Sequence, residues 1–142
     1  MNVDDLRRFV LASLLFGICG VIAELLLLSH FEDWRQWFPL VLLGAGLPVA
    51  TGVLLRPRAV SVRILRGLAA AWVPTGMLGA YFHFTGNLEF EREMDASVTG
   101  IRLLAESLAG AFPALAPGTM ILLGLLGLAI TKGHPALNGE ET

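Results

Sequence analysis

Residues 9–29 read FVLASLLFGICGVIAELLLLS, an apolar run in which Glu24 is the one charged side chain. A hydrocarbon core of about 30 Å is crossed by roughly 20 helical residues, so this run has the length of a membrane span. Arg7 and Arg8 precede it, as basic residues precede the apolar part of a signal peptide. The run is longer than that part, and residues 30–33 (HFED) follow it instead of a small-residue cleavage site. It therefore predicts a retained transmembrane helix.

Three further apolar runs follow, at about residues 37–55, 65–84 and 113–131. Of the 142 residues, 55% are hydrophobic and only 15% are charged, whereas soluble domains have about 25% charged residues. The chain is therefore predicted to be an all-α integral membrane four-helix bundle, with residues 1–142 forming a single transmembrane domain. Residues 85–112 are predicted to hold an acidic outer loop and a short amphipathic interfacial helix, because apolar residues recur at helical spacing after Gly100.

The distribution of basic residues predicts the orientation. Segments on the side of the N-terminus contain Arg7, Arg8, Arg56, Arg58, Arg63, Arg66 and Lys132. Segments on the other side contain Arg35, Arg92 and Arg102 together with most of the acidic residues. Cytoplasmic loops are enriched in Lys and Arg, so both termini are expected in the cytoplasm.

Two motifs lie near the C-terminus. The first is residues 83–94, HFTGNLEFEREM, which contains a Gly-Asn-x-Glu-Phe loop. The second is residues 113–120, PALAPGTM, which contains the Ala-Pro-Gly-Thr-Met start of a last helix. Together these motifs resemble a group of small four-transmembrane bacterial membrane proteins for which no activity is established, and the resemblance covers about residues 80–136. It implies a multi-pass protein of the bacterial inner membrane and no particular reaction.

Five residues are candidates for chemistry. Glu24 places a carboxyl at membrane depth, where it must be neutral, paired or near water. His30 and His83 end the first and third spans on the same predicted side, and Glu89 and Glu93 follow in the acidic segment. Imidazoles together with carboxylates can bind zinc, iron or manganese, so His30, His83, Glu89 and Glu93 are a candidate metal site. The sequence contains no established metal motif, and no metal cofactor is required by it.

Two classes of function remain open. The chain has no nucleophile elbow, phosphate-binding loop or catalytic triad, and no basic run with aromatics that would suit nucleic acid. The first class is a non-catalytic accessory or structural subunit that binds other membrane protein subunits or a second copy of itself. The alternative is a protein that handles a metal ion, a proton or a small cation at an outer His/Glu site.

Overall fold

The computed structural model describes residues 2–137, and every regular element within them is helical. A capping box at Asn2 starts the first helix, because the Asn2 side chain accepts from the Asp5 amide and the Asp5 carboxylate accepts from the Asn2 amide. Two short 3-10 turns, Trp34–Gln36 and Pro135–Leu137, accompany the α-helices. The α-helices are α1 Val3–Leu27, α2 Trp37–Leu55, α3 Ala59–Met94, α4 Gly100–Ala109 and α5 Gly118–Thr131.

The long helix α3 is the centre of the arrangement and packs against α2, α4 and α5, while α1 packs against α2 and α5. The chain reverses direction between successive long helices, so the molecule has two ends. We call the one where α1 ends and α5 begins the histidine end, because His30 and His83 lie there. The opposite one, where α1 begins and α5 ends, is the arginine end, and Arg7 and Arg66 lie there.

The core between the helices is built from large side chains placed against glycines. Trp72 of α3 is fully buried, and its indole N–H donates to the backbone carbonyl of Leu42 in α2 at 3.1 Å. A side chain at Gly46 of α2 would collide with the Trp72 ring, so the glycine is what lets the indole lie between the helices. The hydrogen bond matters because an unpaired indole N–H in an apolar core would cost free energy.

Helices α3 and α5 approach each other closely. A Cβ added at Gly124 would lie 2.8 Å from the backbone oxygen of Ala69, and one at Gly76 would lie 2.8 Å from that of Pro117. Both values are below ordinary van der Waals contact, so only glycine permits this backbone separation. Small residues at such positions allow helices to pack where burial from water supplies little driving force.

The helix bounds agree with the sequence in α2 and differ elsewhere. The prediction of an acidic outer loop was wrong for residues 85–94, which form the last turns of α3. The loop is confined to residues 95–99, where the Asp95 carboxylate accepts hydrogen bonds from the Ser97 amide and hydroxyl. The predicted helix that follows is present as α4. The last apolar helix begins at Gly118 rather than near Pro113, because residues 113–117 form turns that contain two prolines.

Two helical segments in the described part of the chain are long and apolar enough to cross a membrane. They are Val3–Leu27, with a mean hydropathy of 2.4 in its most apolar window, and Trp34–Leu55, with 2.0. Helix α5 is apolar but has only 14 residues. Helix α3 has 36 residues but is less uniformly apolar than the first two.

Candidate functional site: the histidine end

His30 is positioned by the way α1 terminates. The amide of His30 donates to the carbonyl of Leu25 at 2.8 Å, and the amide of Ser29 donates to that of Leu26 at 3.1 Å. This pair of bonds is a Schellman motif, and it requires a left-handed residue after the C-cap. Ser29 takes that position with φ of +53°, an uncommon conformation for a residue other than glycine. The motif turns the chain so that His30 faces the bundle.

His83 lies on α3 and meets His30 directly. The centroids of the two imidazole rings are 6.0 Å apart, with their planes inclined at 61°. The structure therefore brings together the two histidines that the sequence placed at one depth. Two imidazoles bound to one zinc ion have centroids about 5–6 Å apart, since each Zn–N bond is about 2.0–2.1 Å. The separation of the pair is thus of the size that a shared ion or a shared proton would need.

The tautomer of His83 is fixed by its surroundings. Its Nδ1 lies 3.1 Å from the carbonyl oxygen of Pro113, which can only accept, so the proton is on Nδ1. The lone pair of Nε2 is then available to an ion or to a proton donor. Metal-ligating histidines commonly donate their other ring N–H to a backbone carbonyl in this way.

The pKa of His30 is lowered from its usual value. Partial burial of the ring disfavours the charged imidazolium, and the neighbouring His83 adds a smaller electrostatic effect in the same direction. At neutral pH the His30 ring is therefore an uncharged donor and acceptor, which is the form that binds a metal ion or receives a proton.

The carboxylates of the candidate site lie elsewhere. Glu89 and Glu93 are exposed on the last turns of α3, one helical turn apart. Among the residues the structure describes, no three His, Cys, Asp or Glu side chains are grouped so that they could hold a metal ion. Two of the four predicted metal ligands are thus together, and the two glutamates do not complete the site with them.

Glu24 is on the outward face of α1. It lies one turn before the end of that helix, and its side chain is exposed to whatever surrounds the bundle. Within residues 2–137 the carboxylate makes no hydrogen bond or ion pair. The Glu24 carboxylate therefore points away from the other helices.

Asn87 holds this end together, and sequence reasoning did not identify it. The Asn87 side chain is 1% exposed and lies one turn after His83 on the same face of α3. Its Nδ2 donates to the carbonyls of Ser107 and Phe112 at 2.9 and 2.6 Å, and its Oδ1 accepts from the Phe112 amide at 2.9 Å. These three bonds fasten the segment that contains Pro113, which in turn orients His83.

Gly110 allows these three hydrogen bonds of Asn87, which we call the Asn87 clamp, to form. A Cβ at this position would lie 2.7 Å from the Cγ atom of Asn87, so a side chain there would push the α4–α5 segment away from α3. The sequence did carry a signal for the clamp. Asn87 belongs to the Gly-Asn-x-Glu-Phe motif and follows His83 by four residues, the spacing of one helix face.

Known proteins do not assign a role to this site. Comparison with protein-family models, with curated proteins and with solved structures finds no match.

Aromatic side chains also lie at the histidine end. The Arg35 guanidinium lies over the rings of Trp34 and Phe82, at 5.6 and 5.3 Å from their centroids. Phe112 lies 6.3 Å from His83, measured between ring centroids. Tryptophan is enriched at the boundary between lipid and water in membrane proteins.

Proposed function

We propose that the chain is a four-span protein of the bacterial inner membrane. The support is the direction in which its apolar side chains point. Although the most apolar window of α1 has a mean hydropathy of 2.4, only 17% of that window is buried within the molecule. Such large exposed apolar surfaces suit lipid, since soluble monomers rarely expose them.

In this proposal α1, α2, the middle of α3, and α5 with residues 113–117 are the four spans. Helix α4 lies in the interface, because Leu103 and Ser107 face inward while Ile101, Leu104 and Leu108 are exposed. The arginine end is cytoplasmic by the positive-inside bias, and the histidine end is outside. The resemblance of residues 80–136 to small bacterial membrane proteins agrees with this location.

Within the membrane, the proposed role is non-catalytic: a component that binds another membrane protein. The observation that carries this role is Glu24, whose carboxylate faces outward at membrane depth with no partner in the described residues. A charged or polar group facing lipid costs free energy that a polar group on a neighbouring helix removes. The outward face of α1 is therefore the proposed partner-binding surface.

The test is purification from native membranes in a mild detergent, with and without Glu24→Leu. The natural chain should co-purify with a stoichiometric membrane partner. Glu24→Leu should reduce recovery of that partner about tenfold, since a polar contact between membrane helices is worth about 1–2 kcal/mol. Glu89→Leu, which removes another exposed glutamate, on α3, is the control and should retain the partner. A lone monodisperse chain, or equal recovery with both variants, would contradict the proposal.

A second candidate function is the handling of a metal ion, a proton or a small cation at the histidine end. The specific observation in its favour is the His30–His83 pair with the Nδ1 proton of His83 held by Pro113. The two imidazoles then offer ligands to one divalent ion, and further ligands would be water or groups of a partner. Glu89 and Glu93 remain candidates for that completion only if their side chains approach when the ion binds.

Elemental analysis of the purified chain separates this candidate from the first. Near-stoichiometric zinc, iron or manganese should be present, and His83→Ala should remove it. His134→Ala, a histidine at the opposite end, should retain the metal. Absence of metal from the natural chain, also after incubation with zinc, would exclude the metal form of this candidate.

A further inference from the structure

The arginine end contains a cavity of about 590 Å³ between the start of α1 and the ends of α2 and α5. Its rim carries Asp4, Asp5, Arg7, Arg8 and His134. Its floor is apolar and is formed by Leu11, Val53, Leu54 and Ile130. A volume of this size is typical of sites for small ligands, and a polar rim above an apolar floor suits an amphiphile.

The charges of the rim balance, with two guanidiniums and two carboxylates. Arg7 is engaged with the protein, because it donates to the Gly133 carbonyl at 2.9 Å and to the Asp4 carboxylate at 3.3 Å. Arg8 is exposed and makes no such contact within residues 2–137. Arg8 is therefore the guanidinium that is free to bind an anion. The Asp4 carboxylate accepts one hydrogen bond from Arg7, and the Asp5 carboxylate accepts one from the Asn2 amide. Both carboxylates are exposed and keep further lone pairs that a cation beside Arg8 can use.

His134 supplies a second donor to the same rim. Its Nδ1 accepts from the Ala136 amide at 3.2 Å, so the neutral ring carries its proton on Nε2. Burial and, to a smaller extent, the neighbouring Arg7 lower the pKa of His134, whereas Asp4 opposes them. The ring therefore stays neutral at physiological pH and offers an N–H group.

We propose that this cavity binds a phospholipid whose headgroup carries both a phosphate and a primary ammonium. The phosphate binds Arg8 and the Nε2–H of His134, the ammonium donates to Asp4 and Asp5, and an acyl chain lies along the apolar floor. A headgroup with a phosphate alone would leave the two carboxylates facing an uncompensated negative charge. The inference uses the membrane location proposed above but is independent of the partner at Glu24.

The test uses the full chain purified in detergent and native mass spectrometry with three lipids of identical acyl chains. Phosphatidylethanolamine should bind about tenfold more tightly than phosphatidylcholine, whose quaternary ammonium has no N–H to donate to the aspartates. Phosphatidylglycerol, which has the phosphate but no cation, should bind as weakly as phosphatidylcholine. Equal binding of all three lipids, or tightest binding of phosphatidylglycerol, would overturn the proposal.

Substitutions at the arginine end test whether phosphatidylethanolamine binds in this cavity. Arg8→Gln should weaken binding of phosphatidylethanolamine about tenfold, because a charge-assisted hydrogen bond to the phosphate is lost. Arg58→Gln removes an arginine from the same end but outside this cavity, and should leave binding unchanged. Asp4→Asn should abolish the preference over phosphatidylcholine. Equal effects of Arg8→Gln and Arg58→Gln would show attraction by general charge and would overturn the site.

Soluble glycerophosphoethanolamine distinguishes a lipid from its free headgroup. It should fail to displace the bound lipid at equal concentration, because it cannot use the apolar floor. Displacement at equal concentration would overturn the lipid proposal in favour of a water-soluble ligand. A lone monodisperse chain, or equal partner recovery with Glu24→Leu and Glu89→Leu, would contradict the partner proposal and leave these lipid measurements unaffected, so the two proposals fail separately.

Discussion

The two ends of the molecule hold the last helix in place by different means. At the histidine end the neutral and buried side chain of Asn87 binds the segment before α5 through three hydrogen bonds. At the arginine end the charged side chains of Arg66 and Arg7 bind backbone carbonyls of Thr131 and Gly133. An amide can be buried without the desolvation cost of a charge, whereas a guanidinium functions best near water. The Asn87 clamp should therefore stabilise the fold more than the hydrogen bonds of Arg7 and Arg66 do.

Asn87→Ala should give the largest effect. The substitution leaves the Phe112 amide and two carbonyls without their partner in a buried place, so the free energy of unfolding should fall by about 3 kcal/mol. Thermal or SDS unfolding followed by circular dichroism would measure it. Glu89→Ala, an exposed residue on the same helix, should change stability by less than about 0.5 kcal/mol. Equal unfolding of the two variants would remove the proposed difference between the ends.

Arg66→Gln should give a smaller loss at the arginine end. Arg66 donates to the carbonyl and the hydroxyl of Thr131 in the last turn of α5, where a cation also complements the helix dipole. We expect the free energy of unfolding to fall by about 1 kcal/mol. Arg56→Gln, an exposed arginine at the same end, is the control. A loss as large as that of Asn87→Ala would show that a charged side chain can hold α5 as strongly as the buried amide of Asn87 does.

Ser29→Gly should stabilise the histidine end slightly. Ser29 adopts φ of +53° in the Schellman motif, a conformation that glycine reaches without the steric cost of a Cβ atom. The expected gain is about 0.5 kcal/mol, reduced by the extra freedom of glycine in the unfolded chain. Ser13→Gly, within α1, should instead destabilise. A destabilised Ser29→Gly variant would contradict the role assigned to the turn that places His30.

The pH dependence of stability should also differ between the natural chain and a His30→Gln variant. The pKa of His30 is lower in the folded than in the unfolded state, so the unfolded state binds more protons in acid. Its contribution should be fully present above about pH 6.5 and be lost as the pH falls toward the folded pKa. Unfolding measured between pH 7.5 and about pH 5 should show a shallower decline for His30→Gln. Identical profiles would contradict the burial of the ring.

Much of the helical architecture could be predicted from the sequence, because apolar runs and their boundaries are local signals. Helix α2 has the predicted bounds, since aromatic residues and Arg56 mark its ends. The extension of α3 beyond residue 84 was not predicted, because the acidic residues of 85–94 resembled a loop, although the chain has no proline there. Charge indicates exposure to water, and an exposed helix satisfies that as well as a loop does.

The site was only half predictable for a related reason. His30 and His83 could be paired from topology alone, because alternate helix ends share one side of a bundle. Asn87 could not, since its importance comes from backbone groups of Ser107 and Phe112 that are far away in sequence. Long-range hydrogen bonds to main-chain atoms leave little trace in the residue types of the partners.

In the four-span arrangement proposed above, the unbroken length of α3 has a consequence for the membrane. Arg66 and His83 are on this one helix, and their 17-residue separation fixes an axial distance of about 26 Å. A helix hardly stretches, so in that proposed arrangement the two residues would keep this separation across the bilayer. In a thinner membrane the imidazole pair would stand in water, and in a thicker one it would be drawn into hydrocarbon unless the bundle tilts. Bilayer thickness would thus set how far the imidazoles of His30 and His83 are exposed to water.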